Sequence, residues 1–349
     1  MRGVVVRQTG GTEELKLEDV PVPALRHNDV LIKVEACGVC FHDVVTRNGT
    51  MKRGVGLPFI PGHEVSGRVV EVGPSVRDFK PGDQVATAQR RHICGRCRFC
   101  RTGKETSCEE REFLGDAGLN GGYAEFVCVE EDNVTLVPEG VSLDDASIVA
   151  CAIGTELNAI RDIGELKPGE RVLVSGAGGG LGIHGIQLAR LSGAIVYAVT
   201  TSAEKAETIQ KYGAHHVVVT PRGADFSKEL LRLTDGRGVD VVIDNVGSVL
   251  FEPTRRSLGM GARWIFVGQL TGEFVKLNPA QLFFKNIQIK SAKSTSREQL
   301  RDSLALVAQG LVTPVIQERW PLERAADAQA LVESGRTIGR ILLKPALQS

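Results

Sequence analysis

The sequence predicts an α/β protein that combines a mostly antiparallel β domain with a doubly wound domain built on a six-stranded parallel sheet. Residues 1–150 contain short β-type runs separated by turn clusters such as Lys80–Asp83, which is typical of a compact, barrel-like antiparallel domain. Between residues 155 and 290, helical stretches alternate with apolar runs that lack the period-2 alternation of a half-exposed strand. Continuous apolar runs of this kind indicate parallel strands covered on both faces.

The predicted elements divide the chain into a first domain at residues 1–153, a second at 154–291, and a C-terminal segment, 292–349, that returns to the first. The strands predicted for the first domain are Gly3–Arg7, Asp29–Ala36, Gly67–Val72, Gln84–Thr87, Tyr123–Val129 and Val134–Val137. The elements predicted for the second are Arg171–Ser175, helix Leu181–Leu191, Ile195–Thr200, helix Ala203–Tyr212, His216–Val219, Val239–Asp244, Ala262–Val267 and Ile287–Lys290. The last segment is predicted to hold helices Arg297–Gln309 and Leu322–Glu333 and a strand, Gly339–Leu343.

Composition narrows the class of protein. Of the 349 residues, 42% are hydrophobic and 24% charged, the balance of a globular protein. Lys plus Arg and Asp plus Glu each number 42, so no long-range positive field favours nucleic acid or an anionic membrane surface. The N-terminus lacks the apolar stretch of a signal peptide, and no apolar run approaches the roughly 20 residues that span a bilayer. We therefore expect a cytoplasmic protein, with no nucleic-acid or membrane partner, whose eight cysteines are reduced.

Four of the cysteines are closely spaced in the sequence: Cys94, Cys97, Cys100 and Cys108. Four thiolates on a short loop can complete a tetrahedron around Zn²⁺, which prefers soft sulfur ligands. Because this set leaves no open coordination position, the spacing predicts a structural zinc.

A glycine-rich turn lies between the predicted strand Arg171–Ser175 and the helix after it. Glycines there let the backbone turn tightly and bring its N–H groups and the helix N-terminus against a pyrophosphate. The turn therefore predicts a dinucleotide site at Gly176, Gly178, Gly179, Gly180, Leu181 and Gly182.

The next strand ends without the Asp or Glu that usually binds the ribose 2′-hydroxyl of NAD. Hydroxyls and an ammonium group that can accept a 2′-phosphate stand there instead, on Thr200, Thr201, Ser202 and Lys205. We therefore predict NADP(H) in preference to NAD(H).

Three further candidate metal ligands, Cys40, His63 and Cys151, are far apart in the sequence. Their surroundings resemble the medium-chain dehydrogenase/reductase family, which includes the zinc alcohol dehydrogenases, and the resemblance covers essentially the whole chain. The matching features are Gly62-His63-Glu64, Gly67, Gly73, Val76, the turn at 82–85, the four-cysteine group and the segment 151–155.

By this resemblance, Cys40, His63 and Cys151 bind a catalytic zinc whose fourth position is open to water or a substrate oxygen. Glu64 is implied to approach the metal during ligand exchange, and Asp43 to hold the other ring nitrogen of His63. The positions implied to lie near the cofactor are Thr155, Val267, Gly268 and Arg340. The implied architecture is a GroES-like catalytic domain and a Rossmann domain with the active cleft between them, assembled as a homodimer or homotetramer.

The implied activity is hydride transfer between NADP(H), or NAD(H), and a small alcohol or carbonyl substrate, with two zinc ions per chain. His42 departs from the family, whose alcohol dehydrogenases usually have Ser or Thr two residues after the first ligand cysteine. We hypothesise that His42 donates or accepts the proton; the alternative is that it only shapes the pocket. Pocket candidates are the loop residues Phe41, Arg47, Met51 and Leu57.

Two other functions stay open at this point. The first is an NADPH-dependent reductase of an activated C=C bond, in an enone or an enoyl-CoA ester, because some relatives without the hydroxyl reduce such bonds. The second is a non-catalytic NADPH-binding relative. Intact Cys40, His63 and Cys151 argue against the second, since a binding module has no need of an open zinc site.

Overall fold

The computed structural model describes residues 1–51, 56–116 and 118–347. The chain divides into two compact units, one formed by Met1–Gly154 with Ser294–Ser349 and the other by Thr155–Lys293. In the described part of the chain, the strands, numbered in chain order, are β1 Arg2–Val5, β2 Lys16–Asp19, β3 Asp29–Gly38, β4 Glu64–Val72, β5 Gln84–Thr87, β6 Arg90–His92, β7 Glu112–Phe113, β8 Phe126–Glu130, β9 Val134–Leu136, β10 Arg171–Val174, β11 Ile195–Thr200, β12 His216–Val219, β13 Val239–Asp244, β14 Leu258–Phe266, β15 Gln288–Ser291, β16 Ile316–Trp320 and β17 Arg340–Leu343.

The α-helices of the same residues are short, apart from those at 182–191, 297–308 and 325–333. They are α1 Phe41–Arg47, α2 Arg98–Arg101, α3 Leu143–Ile148, α4 Gly154–Leu157, α5 Gly182–Leu191, α6 Ala206–Lys211, α7 Ser227–Leu233, α8 Phe251–Ser257, α9 Ala280–Phe283, α10 Arg297–Ala308 and α11 Ala325–Glu333.

The first unit is organised by a mostly antiparallel sheet with the strand order β16-β17-β3-β4-β5-β9, to which β8 adds by pairing with β3. Its long strands β3 and β4 are mostly buried, because apolar side chains from both pack into a core with Phe59, Tyr123 and Leu322. Strand β17, from the end of the chain, pairs with the last residues of β3. A bond from Val39 N–H to the Ile341 carbonyl, 2.9 Å, extends this pairing toward Cys40.

The second unit is a parallel sheet with the strand order β12-β11-β10-β13-β14-β15. The central strands β10 and β13 are almost wholly buried, as the continuous apolar runs predicted. Trp264 is fully buried in this core, and its indole N–H donates to Oδ2 of Asp244 at 3.0 Å. The predicted fold class, a mostly antiparallel β domain plus a six-stranded parallel α/β sheet, is confirmed.

The sequence patterns missed several short elements. Helix α1 was expected to be loop, because seven residues are too few to show a helical period. Arg47 was expected near a substrate pocket, and this is wrong: it lies on α1 and is buried. Its Nη1 donates to the Gly10 carbonyl and its Nε to Oε1 of Gln329, both at 2.8 Å. The guanidinium is therefore hydrogen-bonded to groups inside the first unit.

Among the described residues, the structure contains no helix of the length and apolarity needed to cross a membrane.

Candidate active site

The three dispersed ligand candidates meet in the first unit. Single donor atoms of Cys40, His63, Glu64 and Cys151 all lie within 4.8 Å of one another, and the four residues are buried. The sulfurs of Cys40 and Cys151 are 3.9 Å apart. Zinc–sulfur bonds of about 2.3 Å in a tetrahedron place two sulfurs about 3.8 Å apart, so the pair has the separation that a shared Zn²⁺ requires.

Local backbone structure sets the direction of each donor. Cys40 is the residue before helix α1, and the Asp43 carboxylate accepts its backbone N–H at 3.0 Å, so the start of the helix is tied to the cysteine. Cys151 lies in a helical turn of wider, π type at Val149–Ile153, a distortion that is frequent at functional sites. Gly62, with φ of 102°, precedes His63, and a Cβ there would lie 2.5 Å from the Tyr123 ring.

Asp43 lies behind the imidazole, as the resemblance implied. Its Oδ1 is 3.2 Å from Nδ1 of His63, which leaves Nε2 for the ligand cluster. Burial by itself lowers the pKa of His63, but the charges of Asp43 and Cys40 raise it well above its usual value. The carboxylate thus holds the ring in place electrostatically as well as sterically.

Glu64 and Arg340 form a buried ion pair beside the same cluster. Nη2 of Arg340 lies 2.7 Å from Oε1 of Glu64 and donates to the sulfurs of Cys40 and Cys151 at 3.5 and 3.6 Å. Burial raises the pKa of Glu64 to about 6, although Arg340 acts to lower it. The resemblance implied that Arg340 lies near the cofactor; the structure shows it against the ligand cluster, and its contact with a cofactor stays a prediction.

The ligand cluster favours a cation. The pKa of Cys40 is well below its usual value because its sulfur accepts a hydrogen bond from Cys151 and lies near Arg340 and His63. The thiolate form, which is the metal-binding form, is therefore stabilised before any ion is present.

The four-cysteine group forms a second, separate cluster. Its ligand atoms also lie within 4.8 Å of one another. Sulfur separations are 3.5 Å for Cys97–Cys100, 3.6 Å for Cys94–Cys108 and 3.9 Å for Cys94–Cys100, close to the edges of a zinc tetrahedron. The set can hold one ion with no open position.

His42 lies next to the dispersed cluster, with its ring centroid 5.2 Å from that of His63. Its Nε2 is 3.1 Å from Oδ2 of Asp116, and the Thr46 hydroxyl donates to Oδ1 of the same carboxylate at 3.3 Å. Phe113 packs against both imidazoles. Asp116 and Phe113 were not singled out from the sequence, because nothing in the spacing relates them to residues some 70 positions earlier.

In the second unit, the glycine-rich turn connects β10 to α5. Gly176 has φ of 61°, and a Cβ on Gly182 would lie 2.4 Å from the Gly176 carbonyl, so both positions need glycine. The turn runs directly into the N-terminus of the ten-residue helix α5, which leaves backbone N–H groups for an anion. Gly268 packs against Asn245 at the ends of β13 and β14, where a Cβ would lie 2.5 Å from a carbonyl oxygen. The other turn residues predicted from the sequence, Gly178, Gly179, Gly180 and Leu181, lie between Gly176 and Gly182.

The remaining predicted cofactor positions lie at the ends of strands or helices of this unit. Thr200 ends β11, Thr201 and Ser202 follow it, and Val267 follows β14. Lys205 is buried beside Gly178, and burial lowers its pKa. Thr155 is buried, and its hydroxyl has no hydrogen-bond partner within the described chain. A buried hydroxyl without a hydrogen-bond partner is consistent with a position that contacts a bound cofactor.

Comparison with known proteins agrees with this geometry. Residues 26–139 match the family described as "Alcohol dehydrogenase GroES-like domain", and residues 180–309 match "Zinc-binding dehydrogenase". The acryloyl-coenzyme A reductase of Sulfurisphaera tokodaii is 34% identical over 99% of this chain and 100% of that protein. An alcohol dehydrogenase of Geobacillus stearothermophilus is 32% identical over 99% of both.

Solved structures give the same result. The crystal structure of AibC is 39% identical with a TM-score of 0.91, and it covers 99% of this chain and 96% of its own. An NAD-dependent alcohol dehydrogenase is 34% identical with a TM-score of 0.92 over 99% of both chains. The chain therefore belongs to the zinc-binding alcohol dehydrogenases of the medium-chain dehydrogenase/reductase family, and it is an NAD(P)-dependent oxidoreductase.

Proposed function

We propose that this enzyme binds one zinc ion at Cys40, His63 and Cys151 and uses it in hydride transfer between NADP(H) and the carbonyl or hydroxyl group of a small molecule. The observation that carries the proposal is the buried convergence of two sulfurs and an imidazole within 4.8 Å. Bound zinc would supply Lewis-acid polarisation of the substrate oxygen. The four-cysteine cluster would hold a second, structural zinc.

The chain's own residues perform the other parts of the reaction. Asp43 fixes the orientation of His63, and Arg340 balances the charge of Glu64 beside the sulfurs. A carboxylate can only accept a hydrogen bond, so in this pair the Nε2 of His42 carries the hydrogen and donates it to Asp116. Its Nδ1 is then the atom that takes or returns the proton of the reacting hydroxyl group.

The preference for NADP(H) is supported by the residues after β11. Thr200 and Ser202 offer short polar groups, and Lys205 is a buried cation whose pKa is lowered by burial. A 2′-phosphate would offset that burial by pairing with the ammonium group. A carboxylate at the end of the strand, which would repel the phosphate, is replaced by Thr200.

A second candidate reaction is reduction of the C=C bond of an α,β-unsaturated thioester. Two specific observations favour it: the family's hydroxyl is replaced by His42, and two relatives named acryloyl-coenzyme A reductase are 34% and 33% identical over nearly the whole chain. In that reaction NADPH adds hydride to the β-carbon, and a proton adds to the α-carbon. His42 would then supply the proton.

Metal analysis and a substrate panel test these proposals together. We expect two zinc ions per chain, and oxidation of NADPH with one class among aldehydes, ketones, enones and enoyl-CoA esters. Cys40→Ser is the matched control, because it removes one ligand of the dispersed cluster only. A chain that holds zinc solely at the four-cysteine cluster, or that turns over no member of the panel, would refute the proposed chemistry. Faster turnover with NADH than with NADPH would refute the cofactor preference.

We further propose a homodimer or homotetramer in the cytoplasm. Among the described residues, strand β15 ends the parallel sheet with one edge unpaired, and exposed apolar side chains lie near it, at Met260, Phe283, Phe284 and Ile289. A second copy can pair with this edge and cover those side chains. The eight free cysteines suit a reducing compartment. A monomer in analytical ultracentrifugation would refute the assembly.

A further inference from the structure

A chain of buried polar side chains leads from the dispersed cluster to the surface of the first unit. It starts at Asp43, which contacts His63, and passes through Tyr123, Gln329 and Arg47. Each of these side chains is at most 2% exposed. Buried polar side chains are costly unless they are hydrogen-bonded, and here Tyr123 bonds to Asp43 and Arg47 to Gln329.

Tyr123 is the residue through which the chain reaches the metal ligands. Its hydroxyl donates to Oδ2 of Asp43 at 3.1 Å, while Oδ1 of the same carboxylate lies 3.2 Å from His63. Burial and the charge of Asp43 raise the pKa of Tyr123 well above its usual value, so the hydroxyl keeps the proton that it donates. The hydroxyl therefore acts with the backbone N–H groups of Cys40 and Gly62 to hold the carboxylate in its orientation, and it is the side-chain donor among them.

The backbone around Tyr123 holds the segment that leads into His63. The N–H of Tyr123 donates to the Pro61 carbonyl at 2.9 Å, and the N–H of Gly122 to the Gly62 carbonyl at 2.8 Å. The tyrosine ring also fills the space beside Gly62, where a Cβ would be 2.5 Å from it. Tyr123 therefore affects the His63 imidazole in two ways. Its backbone binds the segment that precedes His63, and its hydroxyl binds the Asp43 carboxylate that contacts the ring.

Gln329 and Arg47 lie on the side of Tyr123 away from Asp43. Gln329, on α11, lies beside the Tyr123 hydroxyl, and its Oε1 accepts from Nε of Arg47 at 2.8 Å. Arg47 lies on α1, which begins next to Cys40, and its Nη2 is 2.9 Å from Oε2 of Glu333 at the end of α11. The two helices are therefore joined through the same polar chain that ends at the metal ligands.

We propose that Tyr123 is a positioning residue for the zinc site: its hydroxyl, backed by Gln329 and Arg47, orients Asp43 and through it His63. This inference rests on the proposed zinc site at Cys40, His63 and Cys151. Carboxylates that orient metal-binding histidines typically change metal affinity about 10–100-fold when they are altered. Because Tyr123 acts one step further out, its hydroxyl contributes about tenfold, the lower end of that range.

The test is metal affinity in the full-length chain, measured by competition with a chelator after reconstitution with zinc and, separately, with cobalt. Tyr123→Phe removes only the hydroxyl. We expect about tenfold weaker retention at the dispersed site, changed visible bands of the cobalt bound there, and no change at the four-cysteine site. Tyr197→Phe is the matched control, because its buried hydroxyl donates to the Leu233 carbonyl at 3.3 Å in the other unit.

A second variant keeps the test independent of packing around residue 123. Gln329→Glu retains an oxygen for Arg47 but offers the Tyr123 hydroxyl a second acceptor, which competes with Asp43. We expect it to weaken retention of the same metal ion by a few-fold, in the same direction as Tyr123→Phe.

The outcomes separate the two proposals. If the wild-type chain binds two metal ions and both variants match Tyr197→Phe in affinity and cobalt spectrum, the role of Tyr123 is refuted and the zinc site stands. If the wild-type chain binds metal at the four-cysteine site alone, the proposed function fails, and the role of Tyr123 fails with it.

Discussion

The cluster of Cys94, Cys97, Cys100 and Cys108 takes its ligands from one loop, whereas Cys40, His63 and Cys151 come from three segments of the fold. Three of the four loop cysteines are partly exposed, and the dispersed ligands are all buried. The loop cluster is surrounded mainly by its own backbone N–H groups, and the dispersed one by Asp43, Glu64 and Arg340. A local set needs only a short loop to surround an ion, whereas a dispersed set needs several segments of the fold to be in place.

The largest expected effect comes from removing one dispersed ligand. Cys40→Ser should lower kcat/KM by about a thousandfold or more, because the Lewis acid supplies several kcal/mol of transition-state stabilisation. Metal analysis should fall from two ions to one, with thermal unfolding little changed. Loss of both ions would contradict the independence of the clusters.

The reverse change tests the loop cluster. Cys100→Ser should lower the free energy of unfolding by about 3 kcal/mol, since loss of a structural metal is among the most damaging single changes. Denaturant titration measures it, and Cys128→Ser, which alters a buried cysteine outside both clusters, is the control. If stability stays at the wild-type value while activity is lost, the roles of the two clusters are reversed.

His42 tests whether the dispersed cluster has a proton path of its own. His42→Ala should lower kcat by about a hundredfold, the usual contribution of a general acid or base, and remove one limb of the pH–rate profile. Asp116→Asn should have a smaller effect, about tenfold, because it changes only the partner of Nε2. If the pH–rate profile of His42→Ala is unchanged, His42 does not transfer the proton and only shapes the pocket.

The smallest expected effect is on cofactor binding. The predicted cofactor site combines the glycine-rich turn at 176–182 with Lys205, a cation further along the chain. Lys205→Ala should reduce kcat/KM for NADPH about tenfold and leave the value for NADH nearly unchanged, because one charge-assisted contact to phosphate is lost. Steady-state kinetics with both cofactors measure the ratio. If kcat/KM falls equally for NADPH and NADH, Lys205 supports the glycine-rich turn and does not bind the 2′-phosphate.

The sequence was most informative where a pattern is local. The bounds of β11, β12 and β13 agree with the predicted strands, because each is a short and mostly apolar run. The four-cysteine spacing and the glycine turn are local in the same sense. For Cys40, His63 and Cys151, a family resemblance was needed before separate segments could be joined.

Contacts between distant residues could not be read from the sequence. Tyr123 was visible only as the first residue of a predicted strand, and Gln329 only as part of a predicted helix. Arg47 was expected near a pocket because the partner of its guanidinium, Gln329, lies 282 positions away and could not be identified. Buried polar pairing of this kind has no period, so it leaves no signal in a single sequence.

The pairing of β17 with β3 makes the order of synthesis matter. The second unit is one continuous stretch, Thr155–Lys293, and has all its strands once residue 293 has left the ribosome. The first unit must wait for α11 and β17, because Arg340 on β17 contacts the sulfurs of Cys40 and Cys151, and Gln329 on α11 contacts Arg47. Domains that form during translation do so from the N-terminus onward, and here the inserted unit is complete before the one that surrounds it in sequence. Arg340 therefore joins the proposed metal site only after the inserted unit has been made.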